Sequence, residues 1–415
     1  MKKILIALIA LISSTVYSQN INDVNDNSNF KDACFSDRIK SVQLVKTGDN
    51  FADVVIALNS AETVTLTFDE VHDYNNPDGD YYYTIEHCDA DWKKDNLITS
   101  EYMTGFQEIR LDEIEYSQGT NVSYRNFKLT LPNTEKKLKV SGNYLIKVFE
   151  RDNKNPVILK GFSIVEPLTG TNVGFMPPLN RTCMQQLDIK VSLQSLKVLD
   201  PRVNLKVRVE RNFARIPQTQ NPAPAFIQPG LINYTLPEKN TFQGVNEFRT
   251  FDIRSLGYSG QGVASIKMTD HVELTHDTEK TSYIASNDVN GKFLIGSDRY
   301  TNVDTQAEYA KVSFSLSPKS DFEGRIFLFG ELTNWSISEK YEMLHNETSY
   351  SCTVLLKQGY YNYTYVTVDS NGNIDMAAID GCFYDTENLY SVYVYHKAPS
   401  DKYDRLVGFK TVKTR

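Results

Sequence analysis

The sequence predicts an all-β protein made of two to three consecutive immunoglobulin-like, early-set-like β-sandwich domains. Tyr and Phe are abundant, at 25 and 21 residues against 2 Trp, and such residues suit half-buried strands. Short runs of alternating apolar and polar residues recur between turn clusters rich in Gly, Asn, Asp and Pro. No amphipathic helical period stands out beyond the N-terminal segment.

A chain of 415 residues exceeds what one hydrophobic core ordinarily holds, so several domains are expected. Met1-Lys2-Lys3, the apolar run 4–12 and the small-residue stretch 13–18 form the pattern of a secretory signal peptide. The apolar run is too short to span a bilayer. Val16 and Ser18 suit the positions before cleavage, so residues 1–18 are expected to be removed and the mature chain to begin at Gln19. Cys34 lies too far downstream for a lipid-anchored start. No later apolar run approaches the roughly 18 residues of a spanning helix, which predicts a soluble exported chain.

Residues 19–35 are Asn/Asp-rich and predict a flexible mature N-terminus. The first sandwich is expected over 36–166, from β-rich runs at 42–45, 54–58, 64–69, 81–88, 127–132 and 142–150. Glu166-Pro167-Leu168-Thr169-Gly170 marks a break, and a middle β domain is expected over 167–301. There 187–193 and 203–210 alternate strictly, each predicting a strand with one wet face. Pro217, Pro222, Pro224 and Pro229 mark an extended surface loop within it. The last sandwich, 302–415, contains runs at 312–316, 325–329 and 363–368, the last followed by the turn pair Asn371-Gly372.

The net formal charge of −8 argues against nucleic acid or anionic lipid as a partner. Five Cys stand at 34, 88, 183, 352 and 382, an odd number that leaves a thiol over if disulfides form. Cys352 and Cys382, on neighbouring expected strands, are the candidate pair. The favoured reading treats all five as small buried apolar residues.

Candidate chemistry is sparse. Residues 369–375 carry oxygen side chains at alternate positions, like a calcium loop. However, Ile374 stands where that loop needs Gly and Asp380 where it needs a bidentate Glu, so a hairpin turn is expected. His271 and His276 lack a third ligand and predict a surface loop. His87 and Cys88, adjacent on a strand, point to opposite faces and make no dyad. No catalytic, cofactor-binding or metal-binding residue is therefore assigned, and no cofactor is expected. Residues 330–335 and 355–363 resemble early-set domains related to glycogen-binding modules, which stack aromatic faces on sugar. Trp335, Tyr361 and Tyr363 are read here as core or interface residues rather than a sugar platform.

Several pieces recur in order. They are Glu86-His87-Cys88-Asp89-Ala90-Asp91-Trp92, Glu101-Tyr102-Met103-Thr104-Gly105-Phe106, residues 141–148 and 246–252, 330–335, 355–365, Thr386-Glu387-Asn388 with Tyr390, and Tyr403-Asp404-Arg405-Leu406-Val407-Gly408. Together they resemble the plug protein family of the type IX secretion system of Bacteroidota, over nearly all of the mature chain. Residues 211–215 depart from the family pattern, which usually carries a Gln-Asn pair there. The resemblance implies a non-enzymatic periplasmic plug. Such a plug docks on, and seals, the periplasmic opening of a giant outer-membrane β-barrel translocon, with no membrane insertion and no small-molecule substrate. The alternative is a periplasmic or surface carbohydrate-binding β-sandwich protein. The sequence allows Thr386-Glu387-Asn388 and Tyr403-Asp404-Arg405 either to brace the fold or to meet the partner.

Overall fold

The computed structural model describes residues 32–72, 78–179, 182–214, 221–268, 270–319, 322 and 324–414. The expected signal peptide and residues 19–31 lie outside them. The chain is nearly all β, and its few α-helices are four residues long. No helix among the described residues is long and apolar enough to cross a membrane.

Three sandwiches form. In the first, Ala33–Cys34, Asn153–Val165, Gly142–Glu150, Tyr81–Cys88 and Ile109–Arg110 make one sheet, with Val55–Ala57 added parallel to Asn153–Val165. Ile39–Lys46, Val64–Val71, Tyr124–Leu131 and Ile114–Tyr116 make the facing sheet. Alternation along each strand sends Tyr81, Tyr83 and Ile85 inward against Leu66, Phe68 and Phe127. Phe68 and Phe127 stack at 4.9 Å, and both meet Tyr81 edge-on. Ala33–Cys34, inside the stretch expected to be flexible, pairs with Ile158 and Leu159.

The second sandwich packs Gly170–Met176, Met184–Ser192, Leu231–Tyr234, Phe226–Gln228 and Thr241–Gln243 against Leu205–Arg211, Leu389–His396 and Arg405–Lys413. The third is centred on Gly359–Val368, which pairs with Arg249–Asp252, Phe293–Ile295, Arg325–Phe329 and Ile374–Asp375. Its facing sheet holds Val263–Lys267, His271–Leu274, Asp277–Thr278, Tyr309–Ser317, Ser349–Lys357 and Leu344–Asn346. Strands from 167–301 therefore pair with strands from 302–415 in three sheets, so the sandwiches interleave along the chain. The middle stretch supplies one full sheet of its own. Among the described residues, its strand Leu205–Arg211 finds its sheet partner in Leu389–His396.

The disulfide differs from both sequence expectations. Cys183 bonds Cys382, across 199 residues with a Cα–Cα distance of 5.0 Å, while Cys34, Cys88 and Cys352 are free. Cys352 does not reach Cys382 because it points into the third core, where burial pushes its pKa up to about 11. The segment carrying Cys382 instead crosses to the second sandwich. There Phe383 N–H donates to Val245 O at 2.8 Å, and Tyr384 N–H to Thr182 O at 3.0 Å. An oxidised bond of this span fits an oxidising compartment. Cys183→Ser is expected to lower unfolding free energy by about 2–5 kcal/mol in denaturant melts. Thiol titration of the unfolded, unreduced chain is expected to count the three free cysteines.

Candidate functional site

The distinctive polar residues of the chain converge on the seams between sandwiches. Between the first and third, Asp69 points out of the first core yet is 1% exposed, and Lys357 is 2% exposed. Lys357 Nζ donates to Asp69 Oδ2 at 2.7 Å and to Asp304 O at 2.8 Å. Tyr309 Oη donates to the same carboxylate at 2.7 Å, as does Asn126 Nδ2. Lys357 Nζ also sits 4.1 Å from the centroid of the Tyr124 ring. Burial pushes the Asp69 pKa up, and Lys357 draws it back down.

Between the first and second sandwiches, the segments 86–92, 141–148 and 403–408 meet. Asp404 Oδ2 accepts from Ala90 N at 3.0 Å and from Lys206 Nζ at 3.4 Å. Asn143 donates to Asp89 O at 2.8 Å and accepts from Ser163 Oγ at 2.8 Å and Tyr395 Oη at 2.9 Å. Asp53 accepts from Ser391 Oγ and Thr411 Oγ1, both at 2.8 Å, and burial raises its pKa. His87 Nδ1 bonds the Asp95 carboxylate, and Nε2 lies 3.1 Å from Ser141 O. The ring meets Tyr144 and Tyr403 edge-on, at 4.9 and 5.3 Å. Gly142 has φ +136°, and a Cβ there would lie 2.4 Å from His87 Nε2, which explains the Gly in this motif. Cys88 turns the other way, toward Ala33, Trp92, Leu145 and Leu159. Burial raises its thiol pKa, the opposite of what a nucleophile needs.

Inside the third sandwich, Arg249 links the two sheets by donating to Asp277 Oδ1 and Asp380 Oδ1, each at 2.6 Å. Inside the second sandwich, Asn388 Nδ2 donates to Gln185 Oε1 and Gly244 O, while its Oδ1 accepts from Asn212 Nδ2 at 2.7 Å. Where the second sandwich meets the third, Thr386 Oγ1 donates to Val245 O at 2.9 Å, and Glu387 N to Glu247 Oε1 at 2.9 Å. Where the chain departs from the family pattern, Asn212 and Phe213 adopt left-handed φ of 51° and 61°. The turn is held by Leu389 N–H donating to Asn212 Oδ1 at 2.8 Å. Thr386-Glu387-Asn388 and Tyr403-Asp404 thus brace the fold. A cavity of about 40 Å³, lined by residues of all three sandwiches including Asp53, Lys160, Glu210, Lys292 and Trp335, lies where the seams meet. Lys292 Nζ donates there to Asn50 O and Ala52 O.

The residues singled out from sequence fall as follows. Trp335 is buried against Phe248 and Phe329, with ring centroids at 6.1 and 5.4 Å. Tyr361 and Tyr363 lie in the third core, Tyr363 Oη donating to Asp277 Oδ2 at 2.7 Å. None of the three offers a free face to a sugar. Asp369 accepts from Asn371 N and Asn373 N at 2.9 and 2.8 Å, which closes a hairpin turn. His276 is exposed and shares a 2.9 Å hydrogen bond with Ser315 Oγ. Among the described residues, no group of three or more His, Cys, Asp or Glu is placed to hold a metal ion.

The geometry defines a class: an all-β body of three interlocked sandwiches whose notable polar residues are spent on internal seams. A family model described as the type 9 secretion system plug protein 1st domain matches residues 39–166. Residues 39–166 therefore belong to the family of type 9 secretion system plug protein first domains. A crystal structure of a hypothetical protein from Parabacteroides merdae ATCC 43184, at 2.30 Å resolution, superposes with a TM-score of 0.88 at 32% identity. The match covers 93% of this chain and 99% of that one. An enterococcal surface protein, partial N-terminal region, aligns at 6% identity with a TM-score of 0.19, over 93% of this chain and 95% of that one, and carries no argument. No curated protein matches the chain.

Two outcomes test these buried polar groups. Lys357→Met leaves the Asp69 carboxylate buried without its cation and is expected to cost about 3–5 kcal/mol in denaturant unfolding. Adding Asp69→Leu should recover most of that loss. Asp288 accepts from Phe248 N at 2.6 Å and Asn290 N at 2.7 Å, and burial raises its pKa from 3.8 to about 6. A carboxyl raised on folding stabilises below its unfolded pKa, and that contribution is lost as pH rises through the folded one. Unfolding free energy of wild type relative to Asp288→Asn should therefore fall between pH 3.8 and about 6.

Proposed function

We propose that this protein is a non-enzymatic periplasmic plug that docks on and seals the periplasmic opening of the outer-membrane translocon barrel of the type IX secretion system. The family match over residues 39–166 carries the reading. The braced body supports it, because a seal works by holding its shape against an opening and needs no reacting group. The burial of Trp335, Tyr361 and Tyr363 supports it over sugar binding, since stacking requires an exposed aromatic face.

The test is affinity purification of the tagged full chain from native envelope extracts, alongside outer-membrane permeability in a deletion strain. The barrel is expected in the eluate, and the deletion strain is expected to admit large hydrophilic probes. Recovery without the barrel, together with unchanged permeability, would sink the proposal.

A further inference from the structure

We propose that the 98–107 loop of the first sandwich is the anchor by which this protein grips its translocon partner. Phe106 inserts into an apolar hollow of that partner, and an adjoining recess on this protein receives an apolar partner side chain. The inference rests on the plug reading and names a contact within it.

Phe106 is 81% exposed, and a single exposed aromatic is by itself ordinary. What sets this one apart is how firmly its backbone is held. Lys136 has 0% exposure, and its ammonium donates to the carbonyls of Phe106 and Gln107 at 2.8 and 2.9 Å, 4.9 Å from the centroid of the Tyr83 ring. Burial lowers the Lys136 pKa to about 8, against the upward pull of Glu135 and Glu108. Burying a lysine is costly, and here its donors fix the two peptide groups at the tip of the loop. Gly105 has φ +92°, and a Cβ there would lie 1.9 Å from Glu135 O, so the loop is clamped against the 132–138 turn. Thr104 N donates to Lys137 O at 2.9 Å, and Lys139 N to Tyr102 O at 2.8 Å. Tyr102 and Met103, just before the tip, are buried, Tyr102 Oη donating to Ile85 O at 2.9 Å. The backbone is thus fixed on every side while the phenyl ring faces water. An anchor already ordered loses little entropy on binding.

The same turn forms the recess. A hollow of about 240 Å³ is lined by Ile56, Leu58, Pro132, Leu138 and Ile164 together with the polar Asn59, Ser60 and Glu62, whose carboxylate is paired with Lys46, and Leu138 bridges Met103 of the loop. It has room for one large apolar side chain. Lys137 stands on its rim and has no ion-pair partner among the described residues. It is an exposed cation on a chain with a net charge of −8. The fitting partner surface therefore presents a large apolar side chain with a carboxylate beside it, next to an apolar hollow for Phe106. Aromatic anchors in such pockets commonly dominate interface energy.

The experiment compares recovery of the barrel by tagged full-length wild type, Phe106→Asp, Phe106→Ser, Lys137→Glu and a control, Tyr258→Asp, which alters a 64% exposed tyrosine of the 253–262 stretch. Each purified protein is also melted and sized. Both Phe106 variants are expected to melt within about 2 °C of wild type and to recover the barrel at least about tenfold less. Lys137→Glu should recover several-fold less, and Tyr258→Asp as much as wild type. Recovery by both Phe106 variants within about twofold of a wild type that does recover the barrel overturns this contact and leaves the plug reading standing. A wild type that recovers no barrel overturns both. A wild-type dimer that Phe106→Asp dissolves assigns the surface to a second copy and also overturns the inference. Should Phe106→Asp fail to fold, Phe106→Ser and Lys137→Glu decide.

Discussion

The body depends on strands that have no free face. Every residue of Leu389–His396 is buried, whereas an antiparallel sheet in a sandwich ordinarily packs one face and wets the other. Tyr390, Val392 and Val394 fill the second core, while Tyr393 and Tyr395, on the opposite face, pack with Val55 and Ala90 of the first sandwich. Gly359–Val368 does the same. Tyr361, Tyr363 and Tyr365 fill the third core, and Val366, on the opposite face, joins a cluster with Ala214 and Val245, which follow second-sandwich strands. Each large apolar side chain returned to water costs about 1.5–3 kcal/mol. Separating two sandwiches would expose several at once, so relative motion of the sandwiches is strongly opposed.

Apolar burial alone would hold the sandwiches together without fixing their angle, because dispersion and hydrophobic contacts are non-directional. Hydrogen bonds are directional, and the seams are full of them. Asn143 ties Asp89 O and Ser163 of the first sandwich to Tyr395 of the second, and Asp53 of the first accepts from Ser391 and Thr411 of the second. A buried ion pair such as Asp69–Lys357 adds little net stability, because desolvation offsets attraction. A shifted arrangement, however, would strand both charges in a dry seam. The polar residues thus select one orientation among those the apolar contacts would permit.

Alternation made the strands legible in the sequence, as at Tyr81–Cys88 and Leu205–Arg211, because the period of two follows directly from strand geometry. What covers the polar face was not legible. Arg208 and Glu210 read as a wet face, yet Arg208 Nη1 reaches Ala90 O at 3.4 Å and Glu210 is buried. Alternation reports that the two faces differ and is silent about a neighbour made of the same polar chemistry. Long-range pairing was equally hidden: Leu205–Arg211 with Leu389–His396, or Cys183 with Cys382. Nearness in sequence favoured Cys352, whose side chain the fold turns into a core. Thr386-Glu387-Asn388 and Tyr403-Asp404-Arg405 stood out as distinctive, but their role as braces needed the segments they bond, which lie far off in the chain. At residues 101–106 the Gly before an aromatic was visible, and the buried Lys136 that fixes it was not.

The two groups of distinctive residues divide the work. Those in the seams, from His87 to Asp404, are buried and set the shape of the body. The loop bearing Phe106 lies outside the seams, on the sandwich that the family model matches. On the plug reading this separation has a mechanical consequence. A body whose cores, seams and disulfide span distant parts of the chain cannot open a pore by yielding one sandwich, since each sandwich shares strands or buried faces with the others. It can leave only as a unit. Its hold is then set by the contact surface, where a few pre-ordered side chains can be released without cost to the fold. A strong body with a small grip is the arrangement that lets a seal be both tight and removable.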